Sequence, residues 1–434
     1  MRNVLRKIWE DKRGNSLIIA GAALPLLLGS AGLATDTIQW ALWKRQLQRA
    51  ADSAAIAGVY DRIQNNSATT NTASAVNRDL AINQMTGIAL VTGYPNVTYP
   101  ANAGINRDMV KVDLAVQRPL SFSGMFMNAA PLIKTSATAA SVPGSDDYCV
   151  VSLQNNTKTG IYSSGSSTVV MDCGMVTNSV SANAAIAQGS SSITATVIAA
   201  AGGIQQSSNW NVGKYDPYVP AQADPYAGLA PDATDFSSCS SSPPNVTINN
   251  TNSGLTVTGG ACYSSLSVNS NHELTLKDGV YIIDGGSLDV QGTLKVENAT
   301  IVLTNQSSSS TASVGSFDMN AQAELEITAP TTGKWKGIAI YQDRRAVDSD
   351  PTGNINSSSP NKINGGAGGK IQGVLYFPSQ QITYNGNNGG TYRCTQIVVK
   401  RIVFTGNNSS NITKNCTGAG VDPINGGRLV RLVA

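Results

Sequence analysis

The chain has 434 residues, enough for two or three domains, and its charged fraction of 13% is about half the globular average. A net charge of +3 is near neutral for this size, and no basic stripe follows residue 50, which excludes nucleic acid as a partner. Ser, Thr, Asn and 42 Gly fill the deficit, as is common in exported β-rich proteins, while six Cys without a CxxC and a lone His272 favour disulfides over zinc.

The first element is an uncharged run from Leu17 to Thr35, nineteen residues. As a helix it covers a hydrocarbon core of about 30 Å. Arg2, Arg6, Lys7, Lys12 and Arg13 precede it and place its N-terminal side in the cytoplasm. The expected layout is a cytoplasmic tail over 1–14 and a transmembrane helix over 15–38. A signal peptide competes, because Gly32-Leu33-Ala34 has the small-x-small form of a cleavage site. The run is longer than a usual signal core, however, and passes unbroken into a helical pattern. A prepilin-type stem competes too, and needs a Gly before the stem and a Glu at its fifth position. Gly14 is present, but Ile19 stands fifth from Asn15. A retained anchor fits the residues best.

Beyond the run, Trp40, Trp43, Leu47, Ala50, Ala54 and Gly58 recur at three and four residues, one face of a helix. Trp40 and Trp43 fall where an interfacial aromatic belt is expected. Ala50, Ala51, Ala54, Ala55 and Gly58 allow close packing against the helix's own domain. The segment from Arg13 to Gly58 resembles the N-terminal segment of TadG-like proteins of the Tad (Flp) pilus-assembly system. The shared pattern is an Arg-Gly entry, a stem beginning near Leu17 with internal Pro25, and the exit Gly32, Leu33, Ala34 and Asp36. Leu47, Gln48, Ala50 to Asp52 and Ala54 complete it. The resemblance implies an inner-membrane stem, a periplasmic body and partners among other Tad pilus-assembly proteins or pseudopilins. Many relatives carry a von Willebrand A domain with an Asp-x-Ser-x-Ser metal site. The nearest string here, Asp235 to Cys239, ends in Cys and follows no apolar strand, so that role does not transfer.

Residues 39–145 then read as the TadG-like helix and a small α+β, pilin-like unit. "AVNRDLAINQMTGIAL" predicts a helix, and Val110, Val112, Leu114 and Val116 alternate as in a half-buried strand. "IKTSATAASV" offers a second strand.

Over 146–434 helical periodicity is absent and short strands alternate with Gly, Asn and Asp. "SLSV" (265), "ELTL" (273) and "VYII" (280) return as "SLDV" (287), "TLKV" (293) and "TIVL" (300), at offsets of 22, 20 and 20. A three-strand repeat of that length predicts a mainly β body built as a parallel β-helix, whose coils must stack to bury their inward side chains. A β-sandwich is the alternative; it gives no reason for the repeat. The offsets set Leu266 beside Leu288, Leu274 beside Leu294 and Ile282 beside Val302. Asn385, Asn387, Asn407 and Asn408 fall at expected bends. A Pro-rich insertion near 205–245 and a surface loop near 342–370 interrupt the coils. The cysteines taken in order, Cys149 and Cys173, Cys239 and Cys262, Cys394 and Cys416, are separated by 24, 23 and 22 residues, about one coil, which predicts three sequential disulfides.

Candidate chemistry is sparse. Asp348, Asp350 and Thr352 match part of a calcium loop, but Ser359 stands where the bidentate Glu belongs, so a solvated turn is expected and no metal. Asp284 and Asp289 are the nearest acidic pair for a glycan-acting site, and are expected at a bend and on a solvent face. His272 lacks Ser and Asp partners, and Gly365 to Gly369 lack the Lys-Ser/Thr pair that follows in a phosphate loop, so no catalytic residue and no cofactor is expected. The sequence thus predicts a non-enzymatic, single-pass inner-membrane protein, its N-terminus cytoplasmic and its body periplasmic, serving as scaffold for partner proteins or cell-wall polymer. The competing function is a secreted or surface β-helix adhesin or glycan-acting protein.

Overall fold

The computed structural model describes residues 12–65, 67–83, 89–144, 146–320, 322–355, 359–364, 369–385, 391–407, 409–413, 416, 418–426 and 429–433. Side chains at 12–18, 20, 391–393, 409 and 410 lie outside that description. The chain is mainly β and forms two compact units, residues 1–143 with 428–434, and residues 144–427. The expected single body over 146–434 is therefore corrected at its end: Leu429–Leu432 pairs antiparallel with Leu132–Val142 and belongs to the first unit.

In the first unit one helix runs from Lys12 to Gln64 with Pro25 inside it. The division expected at 38/39 is not a structural boundary. Leu47, Ala51, Ala54, Ala55 and Val59 are buried against Val110, Val112, Leu114, Ile133 and Ala137. These come from an antiparallel sheet ordered Asn96–Thr98, Arg107–Gln117, Leu132–Val142 and Leu429–Leu432. Strand 107–117 alternates inward Val110, Val112 and Leu114 with outward residues because only one face of the sheet meets the helix. Gly58 marks a close approach of helix and sheet: a Cβ there would lie 2.9 Å from Val110 Cγ1 and 3.2 Å from Val76 Cγ2. The second helix, Thr72–Ile82, buries Val76 and Leu80. It is shorter than "AVNRDLAINQMTGIAL" suggests: residues 84–88 lie outside the described ones, and Leu90 forms a bridge to Val116.

Among the described residues of the second unit the strands pair in parallel, apart from Ile424–Asn425 against Asp147–Tyr148. That pairing contradicts a β-sandwich. Leu266 pairs with Leu288, Leu274 with Leu294 and Ile282 with Val302, as the offsets require. The next turn adds Phe317, Leu325 and Tyr341 to the same three columns.

Two kinds of strand follow from two kinds of surroundings. Ser265–Val268, Leu288–Val290 and Phe317–Met319 bury alternate residues and turn Ser267, Asp289 and Asp318 outward. The runs Tyr281–Ile283, Ile301–Leu303, Ile338–Gln342, Val374–Phe377 and Ile397–Val399 are buried throughout, as strands covered on both faces are. Their inward column joins Tyr281, Ile301, Ile340, Leu375 and Ile397. Their outward column joins Ile282, Val302, Tyr341, Tyr376 and Val398, in a second apolar cluster with Tyr226, Leu229 and Phe236.

The order of stacking differs from the order of sequence. The chain enters at Asp147–Ser152 and stacks outward through Gly174–Thr177, Ile198–Ala200 and Tyr215–Pro217. It then leaves the stack, and its next strand, Asn245–Ile248, pairs with Ser265–Val268. From there successive turns lead to Thr395–Phe404, which closes on Asp147–Ser152 and Ile161–Ser163. Residues 218–244 therefore form a strap along the outward apolar face. The insertion expected from 205 begins later, since Trp210–Val212 and Tyr215–Pro217 still pair in the stack. The loop expected over 342–370 is also partly regular: Gln342 ends a strand and Asn361–Asn364 forms another. Asn385 ends the strand Lys370–Asn385 and Asn407 sits in a turn, while Asn387 and Asn408 lie outside the described residues.

Candidate functional site

The surface feature that stands furthest from an ordinary exterior is the first half of the long helix. Ile19, Leu24, Leu26, Leu27, Leu28, Leu33 and Ile38 are all exposed, Leu26 by 76%. Scattered exposed apolar residues are normal, whereas a continuous sleeve of them marks an interaction with something apolar. The helix is long and apolar enough to cross a membrane. Pro25 is exposed within it, Ala34 is exposed, and the Leu17 side chain lies outside the described residues.

At Asp36 the surroundings change. The residue is only 3% exposed. It accepts hydrogen bonds from the backbone N–H of Phe122 (2.8 Å) and of Ser123 (2.5 Å), and from the Ser123 hydroxyl (2.5 Å). One turn further on, Gln39 Oε1 accepts from the Ser121 hydroxyl at 2.9 Å. These contacts seat a collar, the segment 118–127 containing the short 3-10 helix Ser123–Met125, against the stem. Phe122 fills the space that Gly32 leaves: a Cβ on Gly32 would fall 2.3 Å from the ring. The Arg118 guanidinium lies over Trp43 at 5.0 Å and Lys44 lies over Trp40 at 5.1 Å. Sequence reasoning found Gly32, Asp36, Trp40 and Trp43 but missed the collar. Its signal is the cluster Phe122, Met125, Phe126 and Met127 in an otherwise Ser- and Gly-rich stretch.

The other sequence candidates are placed in the second unit. Asp348 is bound by Arg401 (Nη1 to Oδ2, 2.8 Å; Nη2 to Oδ1, 2.5 Å) and by Lys400 Nζ at 2.8 Å. Two cations thus already neutralise it, and it is largely buried rather than a solvated turn residue. Burial pushes its carboxyl up, but bonds from Arg401 and Lys400 outweigh this and hold it below the usual range. Asp350 accepts from the Thr352 N–H and hydroxyl, closing a local turn. Asp284 and Asp289 do not form a pair. Asp284 holds Gln306 through its backbone N–H (2.7 Å) and side-chain amide (2.8 Å), whereas Asp289 stands in register with Asp318. Burial and the Asp318 charge push Asp289 above the ordinary carboxylate range. Asp235 binds Lys334 and the Trp335 indole N–H. His272 precedes a strand, with its backbone N–H bonded to the Asn269 carbonyl.

The disulfides join Cys149 to Cys173, Cys239 to Cys262 and Cys394 to Cys416, with Cα separations of 5.7, 5.0 and 4.6 Å. The first links the strand Asp147–Ser152 to the residue just before the neighbouring strand Gly174–Thr177. Cys239 belongs to the strap, which its bond fastens to the strand Ala261–Tyr263, and Cys416 follows the last parallel strand. A pocket of about 320 Å³ lies beside Tyr148, Cys149, Gln396, Cys416 and Val421. Gln396 there is committed to Tyr226 and to the Asp422 carbonyl.

Residues 14–62 match the Tad family model, described as Flp pilus-assembly TadE/G-like. No curated protein matches the chain. Among solved structures, the competence-associated pilin ComZ from Thermus thermophilus aligns at a TM-score of 0.31 and 10% identity, over 81% of this chain and 87% of that one.

Proposed function

We propose, taking as premise that residues 14–62 are a TadE/G-like segment of the Tad family, that this protein is a membrane-anchored structural component of a Tad (Flp) pilus machinery. One observation carries the reading: a single helix, Lys12–Gln64, is sheathed in exposed apolar side chains over its first half and packed into a folded unit over its second. A helix exposing Leu24 to Leu28 to water would lose roughly 1.5–3 kcal/mol per side chain relative to burial. Lipid removes that penalty. The basic residues before the stem orient it with the N-terminus in the cytoplasm and the folded body that follows the stem in the periplasm of a bacterial inner membrane. Three disulfides in the second unit agree with an oxidising compartment. We read the second unit as a parallel β-helix acting as a scaffold toward other pilus-assembly proteins, pseudopilins or cell-wall polymer, without catalysis. The first unit, a long helix against an antiparallel sheet, we read as pilin-like.

Fractionation tests the anchor. The full chain should stay with membranes through a high-salt wash and float with them. Leu27→Arg combined with Leu28→Arg should release it, since a charge at the centre of a span costs about 2.5–3.5 kcal/mol. A soluble mature chain beginning at Thr35 would overturn the anchor and support the secreted adhesin or glycan-acting alternative. That alternative has one observation in its favour, the Asp289 and Asp318 carboxylates in register on one outward, half-buried face with Lys362 next in the column. Retention of a polysaccharide by the wild type and its loss in Asp289→Asn would favour it.

A further inference from the structure

We propose that the collar, residues 118–127, is a second membrane contact that dips into the interface beside the stem and is held at that depth by Asp36. The inference rests on the membrane-anchor reading above. Met125 is 78% exposed, Phe126 74% and Met127 51%, three consecutive large apolar side chains that the protein leaves at least half uncovered. A soluble loop gains nothing from such a display.

The stem supplies the depth. Leu17 to Thr35 is the uncharged run, and a span of about 20 residues covers the hydrocarbon core. Phe122 lies on Gly32, inside that run, while Ser123 bonds Asp36 at its end. At about 1.5 Å per residue, Gly32 lies roughly 6 Å below Asp36 along the helix, the depth reached by interfacial amphipathic segments. Phe122, which also meets the Phe126 ring edge-on at 5.3 Å, thus links the exposed tip to the apolar sleeve of the stem. Above it stand Trp40, Trp43, Lys44 and Arg118, aromatic and basic groups suited to the headgroup level. The occupant of the apolar tip is therefore the outer leaflet around the stem. Asp36 removes the obstacle to insertion: its oxygens take the N–H groups of Phe122 and Ser123 and the Ser123 hydroxyl, polar groups that lipid would leave unmet.

The test uses the full chain in proteoliposomes, with one added cysteine at Phe126, Leu27 or Ala101 carrying an environment-sensitive fluorophore. Six native cysteines are tied in disulfides, so the added thiol is labelled selectively. Nitroxide-bearing lipid should quench the probes at Phe126→Cys and Leu27→Cys and spare Ala101→Cys, with aqueous iodide doing the reverse. In the Asp36→Ala background the Phe126 probe should lose lipid quenching and gain iodide quenching while the Leu27 probe is unchanged. Quenching at Leu27 without quenching at Phe126 overturns the collar and leaves the anchor standing. Protection of the Phe126 probe from both quenchers assigns the tip to a contact with a second copy of the chain and also overturns it. No lipid quenching at Leu27 overturns the anchor itself. Unchanged quenching at Phe126 in Asp36→Ala overturns the role given to Asp36.

Discussion

At the residue scale, the most consequential polar contact is the Asp348–Arg401 pair. Arg401 is fully buried, and Asp348 holds it with two hydrogen bonds. Removing one member of a buried pair leaves the other charge uncompensated. Asp348→Ala should therefore destabilise the second unit by about 3–5 kcal/mol in urea unfolding, and Asp348→Leu with Arg401→Met should recover most of that loss. The pair also sets a pH dependence. The folded-state carboxyl of Asp348 lies below its unfolded value, so its contribution is complete above about pH 4 and fades as pH falls through the lower folded value. Wild type should lose more stability than Asp348→Asn over that acid range, as unfolding midpoints measured at each pH would show. The sequence displays Asp348, Asp350 and Thr352 as a partial calcium loop because their spacing is local. Arg401 lies 53 residues away, and only the stacking of the strands brings it in.

At the element scale, the long helix and the strap each show what periodicity does and does not encode. The stripe Leu47, Ala54 and Gly58 was legible because helix period and burial coincide. Gly58→Val would force the helix off Val110 and Val76, and overpacking of this kind costs about 1–3 kcal/mol, measurable as a lowered midpoint with membrane retention intact. The strap was legible only as a Pro-rich interruption. Its function in the fold comes from side chains scattered along it. Asp224 bonds Arg344 and the Tyr376 hydroxyl, Tyr341 donates to the Leu229 carbonyl, and Asp235 takes Lys334 and Trp335. Burial and neighbouring carboxylates push the Tyr226 hydroxyl well above the usual tyrosine range, and burial does the same to Tyr341 and Tyr376. The equal spacing of the cysteines suggested three coil-to-coil bonds, yet a 23-residue separation arises for Cys239 and Cys262 because the strap ends beside the strand that it fastens. Cys239→Ser with Cys262→Ser should cost about 3 kcal/mol by the chain-entropy model. Faster amide exchange should concentrate in residues 224–239, where the strap lies, and leave Cys149–Cys173 unaffected.

At the scale of the whole molecule, the three-strand repeat was visible because each turn stacks on the one before it. The closure was not visible, because nothing local announces that Ile397 pairs with Val150 or Ile402 with Ile161. These contacts join the turns after residue 245 to those before 218, so the strap and this seam hold the two halves of the stack together. Ile402 is completely buried at the seam. Ile402→Ala should cost about 2–5 kcal/mol and separate one unfolding transition of the second unit into two by calorimetry.

The stem remains the feature from which the functional account proceeds, and its orientation can be read directly. A fusion of alkaline phosphatase to the C-terminus of the full chain, expressed in a bacterial host and assayed in intact cells, reports which side of the membrane the body occupies. An anchored protein with a cytoplasmic N-terminus and a single span predicts an active phosphatase that sediments with the membranes. An inactive fusion, with activity only for a cytoplasmic reporter at the same position, would contradict the account.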